Sequence, residues 1–220
     1  DRRRMRRALA GAAAVLFCDG EAALRARRAF PELAGRPVVS IPIGFDAADF
    51  AAPVPAPAPD VLRIVHTGTI HTELGERHRR TRRARRLLGG SGVDVDILPR
   101  SPVFLLEAVD RVLAEQPQLT GRIEVHLIGE LTAGDRAILA GRPYVRDRGP
   151  MPHARTVAEM REAGLLFLPM HDVSEGSRVA LTPYKTFEYL AAARPILAAL
   201  PDGDARDLLG AVRQAALVRP

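Results

Sequence analysis

Two patterns of apolar residues alternate along this chain. Short, nearly unbroken apolar runs predict strands: AAAVLFC at Ala12–Cys18, PVVSIPI at Pro37–Ile43, VLRIVHTGTI at 61–70, RIEVHLIGE at 122–130, YVRDRG at 144–149, LLFLPM at 165–170, PILAAL at 195–200 and AALV at 215–218. Between them, apolar residues three and four apart predict helices over residues 2–11, 21–30, 102–116, 133–139, 155–163 and 205–214. LLFLPM is apolar almost throughout, which places it in the middle of a sheet. Strands that alternate with helices in this way predict an α/β domain with a doubly wound parallel sheet. Ligands of such sheets bind at the carboxyl ends of the strands, where Gly68, Gly129, Gly149 and the 171–183 loop fall.

The pattern breaks twice. AAPVPAPAPD at 51–60 is rich in Pro and Ala, which predicts a stiff extended linker. It divides a small unit at 1–45 from a domain at 61–220, with 46–60 as the connection. Residues 72–98 hold ERHRRTRRARR and then GGSG, and they interrupt the step from strand to helix. Their composition predicts a solvated, mobile surface insertion.

The stretch LTPYKTFEYLAAARPILAAL, 181–200, carries the clearest chemistry. Thr182 suits an N-cap and Pro183 the first helical position, and Tyr184, Phe187, Leu190 and Ala191 form an apolar stripe. Lys185 and Glu188, three apart, share another face. A lysine in a first helical turn opposes the macrodipole at roughly 0.3–1 kcal/mol unless an anion is also present. Such a place suits a phosphate.

Composition strengthens that reading. Of the 32 Lys and Arg residues, Lys185 is the sole lysine. A chain that writes Arg for its other cations is expected to keep Lys where a compact point charge is needed.

The net charge of +6 suggests nucleic acid until its location is considered. It lies in residues 1–10 and 72–98, neither of which offers an aromatic ring to stack a base, so nucleic acid is not the expected partner. A single cysteine, Cys18, excludes an internal disulfide and a cysteine-rich metal site, and fits a reducing, cytoplasmic setting. The opening imitates a secretory leader, but bulky Phe17 precedes Cys18 where processing wants a small residue. No apolar run approaches the roughly 18 residues of a membrane span. His66, His126 and His171 are scattered and predict no metal site.

The order of these segments resembles the carboxy-terminal, donor-binding half of a GT-B glycosyltransferase, in particular the retaining family 4. VVSIPIGFDAADF, VHTGTI, SPVFLLEAV, VHLIGE, VRDRGPMPHARTVAEMREAGLLFLPM and TPYKTFEYLAAARPILA carry the resemblance over about residues 38–205. It implies a Rossmann-like sheet of GT-B type, incomplete, with residues 1–45 as a remnant of an amino-terminal acceptor domain. The chain is thus expected to be a fragment that binds nucleotide weakly and turns over nothing alone.

The resemblance also assigns roles. Lys185, Arg100 and Gly68 match positions that meet the donor diphosphate, Glu188 matches the glutamate that accepts the ribose hydroxyls, and Gly149, Pro150 and Met151 match the loop that frames the base. Family members often place a glutamate eight residues before the ribose glutamate, where this chain has Ala180; Glu175 and Thr182 are the donor-sugar candidates of the same loop. The scheme uses no metal and no cofactor. Its partners are a nucleotide-diphosphate sugar, an unspecified acceptor and, in a full-length protein, the inner membrane face as a peripheral contact. Two other readings stay open: a nucleotide-sugar 2-epimerase of the same architecture, and a non-catalytic binder of anionic polymers through the Arg-rich stretch.

Overall fold

The structure, a computed structural model, describes residues 2–87 and 95–220, with no side-chain detail for 82–87. The GGSG patch lies outside the described residues.

The chain opens with α1 (Arg2–Gly11), β1 (Val15–Phe17), α2 (Gly20–Ala29) and β2 (Val38–Ser40). β1 and β2 pair in parallel, and Ala23, Ala26, Phe30, Leu33 and Val38 form a small apolar cluster of their own. The start of α2 docks on a distant part of the chain, where Asp204 accepts hydrogen bonds from the Glu21 N–H at 3.1 Å.

After a 3-10 turn at Ala47–Phe50, residues 51–61 form neither helix nor strand. An extended Pro-rich segment has no internal hydrogen bonds, so its carbonyls need outside donors. Two buried arginines supply them. Arg161 donates to the Ala52 and Pro53 carbonyls, the latter at 2.7 Å, and Arg194 donates to the Pro55 carbonyl. Arg194 also donates to the Arg161 carbonyl at 2.7 Å, so the two act as one clamp.

The larger sheet then begins. Its elements are β3 (Leu62–Thr67), α3 (Thr72–Leu87), β4 (Val95–Asp96), α4 (Val103–Glu115), β5 (Ile123–Ile128), α5 (Ala133–Leu139) and β6 (Val145–Gly149). They continue with α6 (His153–Glu162), β7 (Leu165–Pro169), β8 (Asp172–Val173), α7 (Lys185–Ala191), β9 (Ile196–Ala199), α8 (Asp204–Gly210) and β10 (Ala215–Val218). Six strands pair in parallel in the order β10-β9-β7-β3-β5-β6. Successive residues of a strand point to opposite faces, and both faces here are covered. Val65, Leu166 and Leu168 join Met160 and Tyr189 on one side, while Ile64, Val125 and Leu127 join Leu105 and Leu106 on the other. The chain runs outward from β3 through β5 to β6, then returns to β7 on the other flank. The strand order therefore reverses between β3 and β7, which is where a crevice opens in such sheets.

The Arg-rich stretch departs from expectation, because residues 72–87 form a helix, α3, in place of a loop. Gly75 is the reason it packs: a Cβ there would stand 2.5 Å from the Leu98 Cα. Arg79 then binds both oxygens of Asp96, at 2.9 and 2.6 Å to Oδ2, and lies 5.6 Å from the Phe104 ring centroid. β4 pairs antiparallel with β8, the short strand that follows β7, as a separate two-stranded sheet.

Helix α7 also differs from its forecast. It starts at Lys185, with Tyr184 as its N-cap, and Thr182 and Pro183 lie outside it. Its buried residues are Thr186, Glu188 and Tyr189, whereas Tyr184 is 49% exposed. The residue after the C-cap, Ala193, has φ +53°, the left-handed conformation that glycine usually fills. A Cβ costs roughly 1–2 kcal/mol there, against the smaller entropy cost of glycine. Ala193→Gly is therefore expected to stabilise the fold by about 0.5–1 kcal/mol, read as a higher urea midpoint with an unchanged m-value; a lower midpoint would contradict this.

Candidate functional site

Tyr189 determines where the site lies. Fully buried, its hydroxyl accepts from the Thr67 N–H at 3.0 Å and donates to the Phe167 carbonyl at 3.4 Å. It thereby fastens α7 to the end of β3 and the middle of β7, and burial pushes its own pKa up to about 12. One helical turn earlier, Lys185 is carried against the end of β3, where its Nζ donates to the Thr67 carbonyl. Gly68 makes room for it. Its φ is +97°, and a Cβ there would stand 2.9 Å from the lysine Nζ.

A cleft of about 520 Å³ opens at this point. Of the residues singled out in the sequence, Lys185, Arg100, Gly68, Gly129, Glu188, Pro150, Met151 and Pro183 line it. Arg100 reaches it from the 3-10 turn Leu98–Arg100 that follows β4. Gly149 stands just behind, its carbonyl accepting from the Gly129 N–H at 3.0 Å. Thr182 is buried next to the cleft without lining it, and Glu175 is exposed on the loop, away from the lining. Thr67 and Tyr184 line the cleft and were not singled out; Tyr184 was read as core, and its place beside Lys185 was the available signal.

The cations of the cleft have no carboxylate partner among the described residues. Lys185 and Glu188 are one turn apart yet form no ion pair, and Arg100 makes neither an ion pair nor a side-chain hydrogen bond among the described residues. Burial, and then the charge of Arg100, lowers the Lys185 pKa from 10.5 to about 8. Burial lowers that of Arg100 and raises that of Glu188, whose nearest cation is His153 at 3.7 Å.

The histidines are less scattered than their spacing suggests. His66, His71 and His171 all feel the charge of Arg100, and each has its pKa lowered first by burial. His66 donates from Nδ1 to the Phe167 carbonyl at 3.0 Å, leaving its buried Nε2 without a partner among the described residues. His126 lies elsewhere, against Glu124 at 3.0 Å. Half-buried cations with no carboxylate partner among the described residues make a site for an anion.

No family model matches the chain, and no curated protein matches it. Solved structures do. Anabaena Alr3699/HepE, in complex with UDP and glucose, superposes with a TM-score of 0.50 at 14% identity, covering 95% of this chain and 50% of that one. OtsA in its apo form gives 0.58 at 13% identity, covering 99% and 52%. A trehalose-6-phosphate synthase, analysed for glycosyl transfer with retention, gives 0.57 at 14% identity, covering 99% and 52%. The fold is of GT-B type. The chain spans about half the length of these GT-B structures.

The buried lysine has a consequence for stability. Below about pH 8 it is charged in both folded and unfolded chains, and the folded state bears the full cost of burying that charge. Between about 8 and the ordinary value of 10.5, the unfolded chain keeps the proton and the folded chain does not, so stability rises with pH. Lys185→Met is therefore expected to be more stable than the parent at pH 7. Urea unfolding should show that advantage shrinking by roughly 2–3 kcal/mol toward pH 10; a pH-independent difference would rule out a buried charge.

Proposed function

We propose that this chain carries the donor-binding half of a nucleotide-sugar-dependent glycosyltransferase, a retaining enzyme of the family 4 kind. The observation that carries the reading is the couple Lys185 and Arg100 beside Gly68, neither in an ion pair among the described residues, with Glu188 one turn further along the same helix. A nucleoside diphosphate satisfies all three. Its diphosphate supplies the missing counter-charge, and its ribose hydroxyls donate to the Glu188 carboxylate. Pro150 and Met151 frame the base, positioned by the Gly149 turn. Thr182 and Glu175 belong to the loop leading into α7 and are assigned to the donor-sugar side.

The chemistry follows from charge. Breaking the glycosidic bond to the diphosphate leaves negative charge on the departing phosphate oxygens. Lys185 and Arg100, fixed in place before reaction, stabilise that charge without having to reorganise. Burial strengthens the effect because little water competes. The fold shared with HepE, whose structure holds UDP and glucose, supports the same reading. The acceptor's own machinery belongs to the remainder of such an enzyme, so this chain alone is expected to bind donor without turnover.

Calorimetric titration of UDP and GDP tests this. An anion in the cleft favours charged Lys185, so affinity should fall as pH rises through about 8. Lys185→Arg puts a planar fork where Gly68 leaves room for a single amine, and is expected to weaken binding about tenfold or more. Glu188→Gln should weaken nucleoside diphosphates while sparing inorganic pyrophosphate. Unchanged binding in Lys185→Arg would overturn the assignment.

A further inference from the structure

We propose that His153 is a positioning residue for the ribose carboxylate of Glu188, anchored in turn by Asp49, so that the segment joining the two units reaches the donor site. The inference rests on the transferase reading above and adds to it two residues that touch no nucleotide. His153 opens α6, directly after the turn assigned to the base, and it does not line the cleft. Its Nε2 lies 3.7 Å from Glu188 Oε1 and donates to Asp49 Oδ2 at 3.1 Å. One imidazole edge thus stands between two carboxylates that come from different parts of the chain.

Both ends of that bridge are held. Asp49 belongs to the 3-10 turn Ala47–Phe50, in which the Asp46 side chain accepts from the Ala48 N–H at 3.0 Å. Phe50 seats this turn by packing against the apolar cluster that includes Val157, Met160 and Tyr189. Val157 and Met160 lie on α6 itself, so the turn and the helix that begins at His153 share one core. At the other end, Tyr189 fixes the rotation of α7 and with it the direction of Glu188, the residue before it. The three side chains therefore meet through packing that none of them supplies.

Charge explains why Glu188 needs this neighbour. Burial raises its pKa and Asp49 pushes the same way, whereas His153 and then Lys185 oppose them. A carboxyl that kept its proton would lose acceptor capacity that the ribose hydroxyls require. At 3.7 Å the imidazole attracts Oε1 without using it in a hydrogen bond, so the carboxylate stays oriented and still free to accept from a ligand. His153 is 53% exposed, and water screens the attraction to a modest strength.

The test pairs a titration that needs no nucleotide with binding. In the ligand-free chain, NMR of the glutamate carboxyl carbons should show Glu188 titrating at higher pH in His153→Ala than in the parent. The groups that face this carboxyl are His153 from α6, Asp49 from the turn and Lys185 from its own helix, and only the first is changed. Calorimetry should then show UDP binding about threefold weaker in His153→Ala, with inorganic pyrophosphate unaffected. Asp49→Ala frees the imidazole and should weaken UDP to the same degree, whereas Asp49→Asn keeps an acceptor oxygen and should bind UDP as the parent does. The proposal is overturned if the Glu188 titration stays in place in His153→Ala, if pyrophosphate weakens as much as UDP, or if Asp49→Ala leaves UDP binding intact. A parent chain that binds no UDP overturns the donor reading and the ribose role together, and is distinct from failure of the bridge alone, which the ligand-free titration registers.

Discussion

The hydrogen bonds of one buried phenol organise this molecule's chemistry. Tyr189 joins α7 to the carboxyl end of β3 and the middle of its neighbour β7, at the place where the strand order reverses. Everything functional on α7 is then placed by helix geometry, since Lys185 and Glu188 stand four and one positions before the tyrosine. A helix of seven residues has little stability alone and takes its position from packing. Tyr189 supplies that position with polar contacts as well as area, and these fix the rotation of the helix about its axis, which apolar packing specifies less sharply.

That fixed rotation is what allows charge to be buried without a partner. Lys185 and Arg100 lose hydration and gain no carboxylate, a condition that disfavours the empty fold. The sheet bears the cost through two continuous apolar faces. Stability and binding therefore draw on different layers of the same domain: the faces hold the strands, and the strand ends hold the unsatisfied charges.

The strands and most helices were legible because each apolar run has a single reading once its neighbours alternate with it. Ala133–Leu139 matches its forecast residue for residue, and LLFLPM does lie mid-sheet, between β9 and β3. Helix α3 was missed because its pattern is polar nearly all round; what makes it pack is a glycine against Leu98 and a bidentate Arg79–Asp96 pair, long-range contacts with no periodic signature. In α7, Tyr184, expected in the apolar stripe, is exposed, while Tyr189, to which the sequence reading gave no role, is buried and bonded to Thr67. The cleft was legible as a set, with Lys185, Arg100, Gly68 and Glu188 brought together from three separate segments. The histidines around Arg100 were not, since their meeting depends on the strand order.

The clamp on residues 52–55 reads main chain alone. Arg161 and Arg194 donate to carbonyl oxygens, which every residue type offers at the same place. No side chain of the linker enters into those bonds. Mutations within it can therefore accumulate without penalty provided the backbone stays extended, a condition that proline enforces by itself. The two arginines have no such latitude. The constraint that holds the linker's course thus lies outside the linker, on two distant positions, and does not depend on which side chains the linker carries.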